Sequence, residues 1–228
     1  MPENPPHPPG SSPVPAPEPS PLPRRLPESS SNRLRRLLGL ETKPPKPPPG
    51  PPLGRAAGAV VKVLGSFFGA GFLPMAPGTW GSLAAFGLWL AGRDLAIRVG
   101  ISGDLVDIYS FLAAVAFFAA TLELGRLAER AAGGYDPKWF VLDELGGTFL
   151  ALYGLAGYNH TLSLLLASGA FLLFRVLDAT KLGLIGWADR RMTGGLGILM
   201  DDLFAGAAVN LIVRGAALLL IGQPPDAG

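Results

Sequence analysis

Cysteine is absent from the 228-residue chain, which excludes disulfides, thiolate-bound metals and a cysteine nucleophile. Histidine occurs only as His7 and His160, so a histidine-based mechanism has few residues to use. Charged residues make up 16% of the chain, whereas a typical soluble domain carries about a quarter. A chain with so few charges is expected to lie in a membrane.

Proline is distributed unevenly, with 19 of the 24 prolines before Ala56. Proline runs favour polyproline II and cannot build a packed core, so residues 1–56 are predicted to be a disordered, Pro-rich tail. The tail has eight Lys/Arg against four Asp/Glu, a basic balance that suits an anionic membrane surface. The formal net charge of the whole chain is only +2, so no nucleic-acid partner is expected.

Residues 57–228 are predicted to form one membrane-embedded, all-α domain. Five apolar stretches follow one another at residues 79–91, 108–124, 140–156, 162–177 and 203–221. A spanning helix needs about 20 apolar residues; the last stretch meets that length, the middle three are borderline, and the first is short enough to be re-entrant. The pattern predicts a compact polytopic bundle of four to five spans.

The positions of Lys and Arg predict the orientation, because cytoplasmic loops are enriched in them. If the residues before Trp80 are cytoplasmic and each stretch crosses, only Arg93 and Arg98 fall on the outer side. The same alternation places the clustered acids at the cytoplasmic ends of their helices. The candidate site is therefore predicted to face the cytoplasm.

Ionisable groups beside apolar helices are costly, and they mark candidate functional positions. Three such clusters occur: Asp143-Glu144, then Arg175, Asp178 and Lys181 with the following Asp189-Arg190, and finally Asp201-Asp202. The three residues spaced by three share one side of a helix. Adjacent acids lie about 100° apart on a helix, so one member of each pair is expected to face a common centre.

Carboxylates beside basic side chains suit phosphate chemistry with a hard cation. Mg²⁺ prefers oxygen ligands, and arginine binds phosphate through paired N–H groups. The turn at residues 77–82 adds the hydroxyls of Thr79 and Ser82 at a helix start, where N–H groups attract anions. Structural alternatives exist for each feature: an acid that caps the last helix, an Arg175–Asp178 ion pair, and ordinary helix punctuation at the turn.

Four blocks in order resemble the phosphatidylglycerophosphatase A family of bacterial inner-membrane, Mg²⁺-dependent enzymes. They are Pro-Gly-Thr-x-Gly-Ser at 77–82, Asp-Glu-x-Gly at 143–146, Arg-x-x-Asp-x-x-Lys at 175–181 with Asp189-Arg190, and the glycine-rich 194–206 ending Asp-Asp-x-x-Ala-Gly. The resemblance covers about residues 65–206. Leu-Gly-Leu-Ile at 182–185 replaces the family's usual Pro-x-Pro-Ile, so a looser loop is expected there.

The resemblance implies hydrolysis of phosphatidylglycerophosphate to phosphatidylglycerol and phosphate, with a phospholipid as substrate. The implied catalytic residues are Asp143, Glu144, Asp178 and Asp201, and the implied Mg²⁺ ligands are Asp143, Asp178, Asp189, Asp201 and Asp202. The implied phosphate-binding residues are Arg175, Lys181, Arg190, Thr79 and Ser82. A water would attack phosphorus in line while a carboxylate takes its proton; a covalent aspartyl-phosphate route is the alternative.

Two other functions place acidic residues in membranes. A CDP-alcohol phosphotransferase would carry Asp-Gly-x-x-Ala-Arg, and this signature is missing from the sequence. A small ion or proton transporter would place acids near mid-membrane on several helices, whereas the acids here are predicted to cluster at one face. No feature of the sequence indicates an oligomeric state.

Overall fold

The computed structural model describes residues 50–180 and 195–224, with side chains from Leu199 onward in the second range. Within these ranges the chain forms six α-helices and one 3₁₀ turn, and no β-strand. The helices are α1 Arg55–Gly65, α2 Pro77–Arg98, α3 Gly103–Ala132, α4 Leu142–Leu152, α5 His160–Thr180 and α6 Gly195–Leu220; the 3₁₀ turn is Ala70–Phe72. The predicted all-α class is confirmed.

Three helices are long and apolar enough to cross a membrane: α3, α5 and the Leu199–Leu220 part of α6. Only 22–28% of each apolar segment is buried inside the bundle, so most of these residues face outward, as helices surrounded by lipid do. The predicted count of four to five spans also includes the first and third apolar stretches, which correspond to α2 and α4.

Helix α4 is short and lies at the centre of the bundle. Its 11 residues span about 16 Å at 1.5 Å per residue, roughly half of a 30 Å hydrocarbon core. Leu145, Phe149 and Leu152 are fully buried, and α4 packs against α2, α3, α5 and α6. A Cβ on Gly206 of α6 would collide with the carbonyl oxygen of Gly147, so the two backbones meet directly, as small residues allow between membrane helices.

The apolar stretch predicted at 140–156 is divided where α4 ends at Leu152. Residues 153–159 form a non-helical loop that is buried from Gly154 to Tyr158. Gly154 has a φ of 80°, a conformation that glycine adopts readily. Irregular backbone inside an apolar bundle requires partners for its N–H and C=O groups, and polar side chains from four helices supply them. One of these is Ser163 of α5, whose Oγ donates to the carbonyl of Tyr158 at 2.9 Å.

Arg93 of α2 binds the carbonyl side of this loop. Its Nε donates to the carbonyl of Ala156 at 3.2 Å, and its Nη2 donates to the carbonyl of Tyr158 at 2.9 Å. Its side chain also contacts His160 Nδ1 at 3.2 Å. Arg93 is therefore buried at the end of α4 that lies away from the clustered acids, and it stabilises the loop.

Asp107 of α3 and Asn210 of α6 complete the support of the loop. Asp107 Oδ1 accepts hydrogen bonds from the N–H groups of Gly154 and Ala156, at 3.0 and 3.3 Å. Asn210 Nδ2 donates to the carbonyl of Tyr153 at 2.5 Å and lies 3.4 Å from that of Ala151. The non-helical loop after α4 is thus stabilised by specific side-chain hydrogen bonds.

Helix α1 packs on the C-terminal part of α3. Val61, Ala128, Phe140 and Leu142 form a small core between them. Gly65 lies directly beneath the ring of Phe140, and its carbonyl accepts a hydrogen bond from the N–H of Val141 at 3.0 Å. These contacts fix the start of α4 beside the segment that leads from α1 to α2.

Candidate active site

Four helices bring charged and polar side chains together at one end of the bundle. Glu144 lies in the first turn of α4, Arg175 and Asp178 lie one turn apart near the end of α5, and Asp202 lies on α6. Oxygens of Glu144, Asp178 and Asp202 all lie within 4.8 Å of one another. These three residues are called the carboxylate group below.

Arg175 pairs with two members of the carboxylate group. Its Nη1 lies 2.5 Å from Glu144 Oε2 and 3.1 Å from Asp178 Oδ2. The ion pair with Asp178, raised above as a structural alternative, is therefore present, but it belongs to a larger cluster. With all three carboxylates ionised, the group together with Arg175 would carry a net charge of −2, an imbalance that is costly in this shielded setting.

Ser82 and Gly78 connect the N-terminal turn of α2 to the cluster. Ser82 Oγ lies 3.1 Å from Glu144 Oε2 and 3.0 Å from the carbonyl of Gly78, and it accepts from Arg175 Nη1 at 3.2 Å. A Cβ on Gly78 would collide with Glu144 Oε1. Glycine at this position therefore allows the carboxylate to approach the start of α2. Thr79 is half-buried in the same turn.

The carboxylate group fits a divalent cation by its donor chemistry. All three ligand atoms are oxygens, which Mg²⁺ prefers. Asp202 is 4% exposed, and its Oδ1 is a buried oxygen with no hydrogen-bond partner in the described part of the chain; the same holds for Oδ1 of Asp143. Buried polar atoms nearly always have a partner, so these oxygens are available to bind a cation.

Burial and crowding also raise the pKa values of the acids in α4. The pKa of Glu144, which lies outside the three candidate spans, is raised to about 7, chiefly by burial and then by the negative charge of Asp178. Arg175 and the Ser82 hydroxyl act in the opposite direction. Burial also raises the pKa of Asp143 well above its ordinary value. A bound cation would favour the ionised forms.

Comparison with known proteins identifies the family. The family model described as phosphatidylglycerophosphatase A matches residues 63–217, which is more than half of the chain and includes the whole carboxylate group. The chain belongs to the phosphatidylglycerophosphatase A family. Its predicted membership and its class as a phosphatase are thereby confirmed, and nothing in the comparisons supports a transporter.

Individual relatives agree with this assignment. The chain is 30% identical to phosphatidylglycerophosphatase A of Escherichia coli K12 over 160 residues, covering 68% of this chain and 80% of the relative. It is 31% identical to the Haemophilus influenzae protein of the same name over 153 residues, covering 67% and 86%. A Bacteroides thetaiotaomicron protein, provisionally named a phosphatidylinositol-3-phosphatase, is 33% identical over 164 residues, covering 70% and 94%. No solved structure matches the chain.

The apolar helices and the bacterial relatives indicate that this family member is a bacterial membrane protein. In the structure, one member of each adjacent acidic pair lies beside Asp178, which the sequence did not specify. Glu144 and Asp202 belong to the carboxylate group, whereas Asp143 and Asp201, which are also predicted site residues, are buried on neighbouring faces of α4 and α6. Asp143 still lies near enough to act electrostatically on Glu144 and Asp202.

Three sequence-predicted site residues, Lys181, Asp189 and Arg190, lie outside the described residues. Their assignments stay predictions, as does the looser loop at 182–185. The described residues show roles that the sequence analysis missed. Gly78 admits Glu144, and the Gly147–Gly206 contact brings α4 against α6. The only signal for these roles was the presence of glycines inside the family blocks.

Proposed function

We propose that the protein hydrolyses phosphatidylglycerophosphate to phosphatidylglycerol and inorganic phosphate in a Mg²⁺-dependent reaction. The observation that carries this proposal is the carboxylate group, with its three oxygens within 4.8 Å and Arg175 paired to two of its members. The family supports a lipid phosphate monoester as the substrate.

Glu144, Asp178 and Asp202 would hold Mg²⁺, and the −2 charge of the cluster with Arg175 would be offset by a divalent ion. Asp143, Asp189 and Asp201 are the further ligand candidates from the sequence. When bound, the ion neutralises phosphate oxygens and lowers the pKa of a water. The carboxylate group therefore serves first to place positive charge where the phosphate must lie.

Arg175 is proposed to bind the phosphate of the substrate. Its contacts with Glu144, Asp178 and Ser82 all use Nη1, while Nη2 lies near Gly78 at the start of α2. A guanidinium can donate five N–H bonds, and a helix start attracts anions. A phosphate between Nη2 and the first turn of α2 would reach Thr79, with Lys181 and Arg190 as further candidates. Ser82 is proposed to orient Glu144 and Arg175.

The attacking water must lose a proton to a base within reach. A carboxylate at the site is proposed to accept it, and one that does not hold the cation is the better base, because a bound cation favours the ionised form of its ligands. Attack by a carboxylate, through an aspartyl-phosphate, is the alternative route. The configuration of a chiral thiophosphate product would separate them, since one displacement by water inverts the configuration at phosphorus and two displacements retain it.

We further propose four to five spans with the site facing the cytoplasm of a bacterial inner membrane, and a Pro-rich tail that takes no part in catalysis. The site end holds the start of α4 and the end of α5. Single cysteines at Gly134 and Ser102, near the two ends of α3, would report orientation in this Cys-free chain. Gly103 is unsuitable, because a Cβ there would collide with Gly157. We expect an impermeant thiol reagent to label Gly134→Cys only from the cytoplasmic side.

The central experiment measures phosphate release from phosphatidylglycerophosphate by the purified protein, with added Mg²⁺ or after chelation. We expect release only with the divalent ion. Thermal unfolding provides a second readout, because a ligand that binds the folded state stabilises it. Mg²⁺ should raise the Tm of the wild type and not that of Asp202→Asn. Full activity after thorough chelation would overturn the metal requirement.

A second substrate is favoured by one observation. The Bacteroides relative with the provisional name of phosphatidylinositol-3-phosphatase aligns over 94% of its length. Phosphatidylinositol 3-phosphate therefore belongs in the same assay beside phosphatidylglycerophosphate. We expect the glycerophosphate lipid to give the higher kcat/KM, and the reverse order would replace the proposed substrate while leaving the phosphatase chemistry in place.

A further inference from the structure

The segment between α1 and α2 exposes large apolar side chains without being a spanning helix. Phe68 is 75% exposed, Phe72 55%, Leu73 42% and Met75 97%. These four residues are called the apolar ridge. Large exposed apolar surfaces usually mark a binding surface, and lipid contact along a spanning helix does not account for this one.

The backbone N–H groups around the ridge are hydrogen-bonded within the protein. Each N–H group from residue 66 to residue 73 has a hydrogen-bond acceptor within the segment or in the last turns of α1. For example, Phe68 N–H bonds to the carbonyl of Val63 at 2.8 Å, and Gly69 N–H bonds to Ser66 Oγ at 3.0 Å. A segment that meets lipid must satisfy its donors internally, and residues 66–73 do.

The ridge is also held in an unfavourable backbone shape. Phe67, Phe68 and Met75 have φ values of 47°, 54° and 76°, a left-handed conformation that is costly for residues other than glycine. Trp80 Nε1 donates to the carbonyl of Pro74 at 3.1 Å, which ties the ridge to α2. Packing and hydrogen bonds therefore hold Met75 outward against its local preference.

The surroundings of the ridge match a membrane–water interface. The ring of Phe72 stacks on Trp139 at 5.8 Å, and Trp80 is 37% exposed; tryptophan is enriched at the headgroup level of membranes. Helix α1 continues the apolar surface with exposed valines and a leucine, and its exposed Arg55 and Lys62 suit anionic headgroups.

The ridge lies beside the candidate active site. Met75 precedes Gly78 by three residues, so their Cα atoms are at most about 11 Å apart. Gly78 in turn contacts the carboxylate of Glu144. A ridge at this position fixes how far the carboxylate group lies from the hydrocarbon edge of the membrane.

We propose that the apolar ridge inserts its side chains into the interface of the bilayer and thereby holds the carboxylate group at the depth of lipid phosphates. The partner is the bilayer itself, through the hydrocarbon just beneath the headgroups. The kinetic consequence rests on the proposed lipid phosphatase function, whereas the insertion does not. The ridge would favour substrates that stay in the membrane over soluble phosphate monoesters.

Insertion is tested without any activity measurement. A fluorophore on Met75→Cys, in the otherwise Cys-free full chain in nanodiscs, should be quenched by lipids brominated near the top of the acyl chains and protected from aqueous iodide. Leu112→Cys in the middle of α3 serves as the lipid reference and Gly134→Cys, after α3, as the water reference. Iodide quenching of the Met75 probe equal to that of the Gly134 probe would overturn the proposal.

Kinetics test the consequence. Asparagine tolerates positive φ, so Met75→Asn removes apolar character with little change of backbone, and Met75→Leu retains it. For phosphatidylglycerophosphate in bilayers we expect Met75→Asn to raise KM roughly tenfold, the scale of withdrawing one apolar side chain from hydrocarbon. For a dibutyryl analogue in solution we expect no change.

Val99→Asn is the matched control. Val99 is 59% exposed and lies just after the end of α2, whereas Met75 lies just before its start. It should behave as wild type on both substrates. Equal losses of Met75→Asn on the bilayer and soluble substrates would overturn the proposal, since the residue would then act on the catalytic residues directly. A wild type inactive on every lipid tested would refute the proposed function and leave the quenching result to decide insertion.

Discussion

The two ends of α4 differ in the partners of their polar side chains. At the end of α4 that begins with Leu142, three carboxylates converge within 4.8 Å with Arg175 as their paired cation. At the other end, Arg93, Asp107 and Asn210 each bind backbone groups of the loop at 153–159 or of the last turn of α4. The first set places like charges together, whereas the second satisfies hydrogen bonds.

The difference separates the residues proposed for catalysis from those that stabilise the fold. Like charges held together lower stability unless a ligand compensates them, so the first cluster fits the proposed cation and anionic substrate. Buried polar groups that meet backbone partners have a sufficient structural reason. Both sets lie beside apolar helices, so the cost of burying a charge does not by itself tell them apart.

The largest effect is expected from the carboxylate group. Glu144→Gln, Asp178→Asn and Asp202→Asn should each lower kcat by about 10³-fold or more, a barrier increase of about 4 kcal/mol, because each removes a negative ligand for the cation. The folded fraction in detergent should stay close to wild type. Phosphate release per folded molecule is the measurement.

Asp104→Asn is the control, since Asp104 is exposed in the first turn of α3 and should be silent. Asp143→Asn and Asp201→Asn sharpen the comparison within each acidic pair. We expect smaller losses from them than from Glu144→Gln and Asp202→Asn. Near wild-type rates for all three variants of the carboxylate group would show that these acids are structural.

Substitution at the C-terminal end of α4 should lower the stability of the fold. Arg93→Met leaves the carbonyls of Ala156 and Tyr158 with the single hydroxyl of Ser163 as their remaining side-chain donor, which should lower the free energy of unfolding by about 1–3 kcal/mol. The kcat of the molecules that remain folded should change little. Thermal unfolding and activity measured on the same preparation separate the two quantities.

Arg98→Met is the matched control for Arg93→Met. Arg98 pairs with Asp94 at 3.6 Å and its side chain is 76% exposed, and exposed pairs contribute about 0–1 kcal/mol. A stable Arg93→Met protein with lost activity would reverse the assignment and place this end of α4 in the catalytic machinery.

An intermediate effect is expected where α4 crosses α6. Gly206→Ala introduces a Cβ against the carbonyl oxygen of Gly147, which should push the helices apart and cost about 1–3 kcal/mol. Because these helices carry Glu144 and Asp202, kcat should fall about tenfold. Gly169→Ala on α5, where a Cβ meets nothing within 4 Å, should leave both quantities unchanged.

The smallest effect is expected from removing residues 1–49. Proline-rich sequence cannot form part of a packed site, so a chain that begins at Gly50 should keep its kcat and KM in detergent. This start retains Pro51, whose carbonyl accepts a hydrogen bond from Arg130 Nε at 2.8 Å. A folded, inserted and inactive truncated protein would contradict the predicted dispensability of the tail.

Much of the candidate site could be predicted from the sequence. The acids beside apolar helices, the arginine three residues before Asp178 and the turn at 77–82 together indicate phosphate chemistry, because each depends only on residue type and local spacing. The apolar stretches likewise predict the all-α class. The sequence does not say which member of each acidic pair lies beside Asp178, because a rotation of about 100° decides which neighbour faces the centre, and apolar residues flank both members.

Composition and the order of the motifs in the sequence determined the family and the helical class, because these depend on which residues are present and on local spacing. The tertiary structure decided that α4 ends after 11 residues, that Arg93 supports a buried loop, and that Glu144 and Asp202 rather than their neighbours join Asp178. Each of these depends on contacts between residues more than 20 positions apart, such as Gly147 with Gly206 and Arg93 with Ala156. Local preferences carry no information about such pairs, and packing alone selects them.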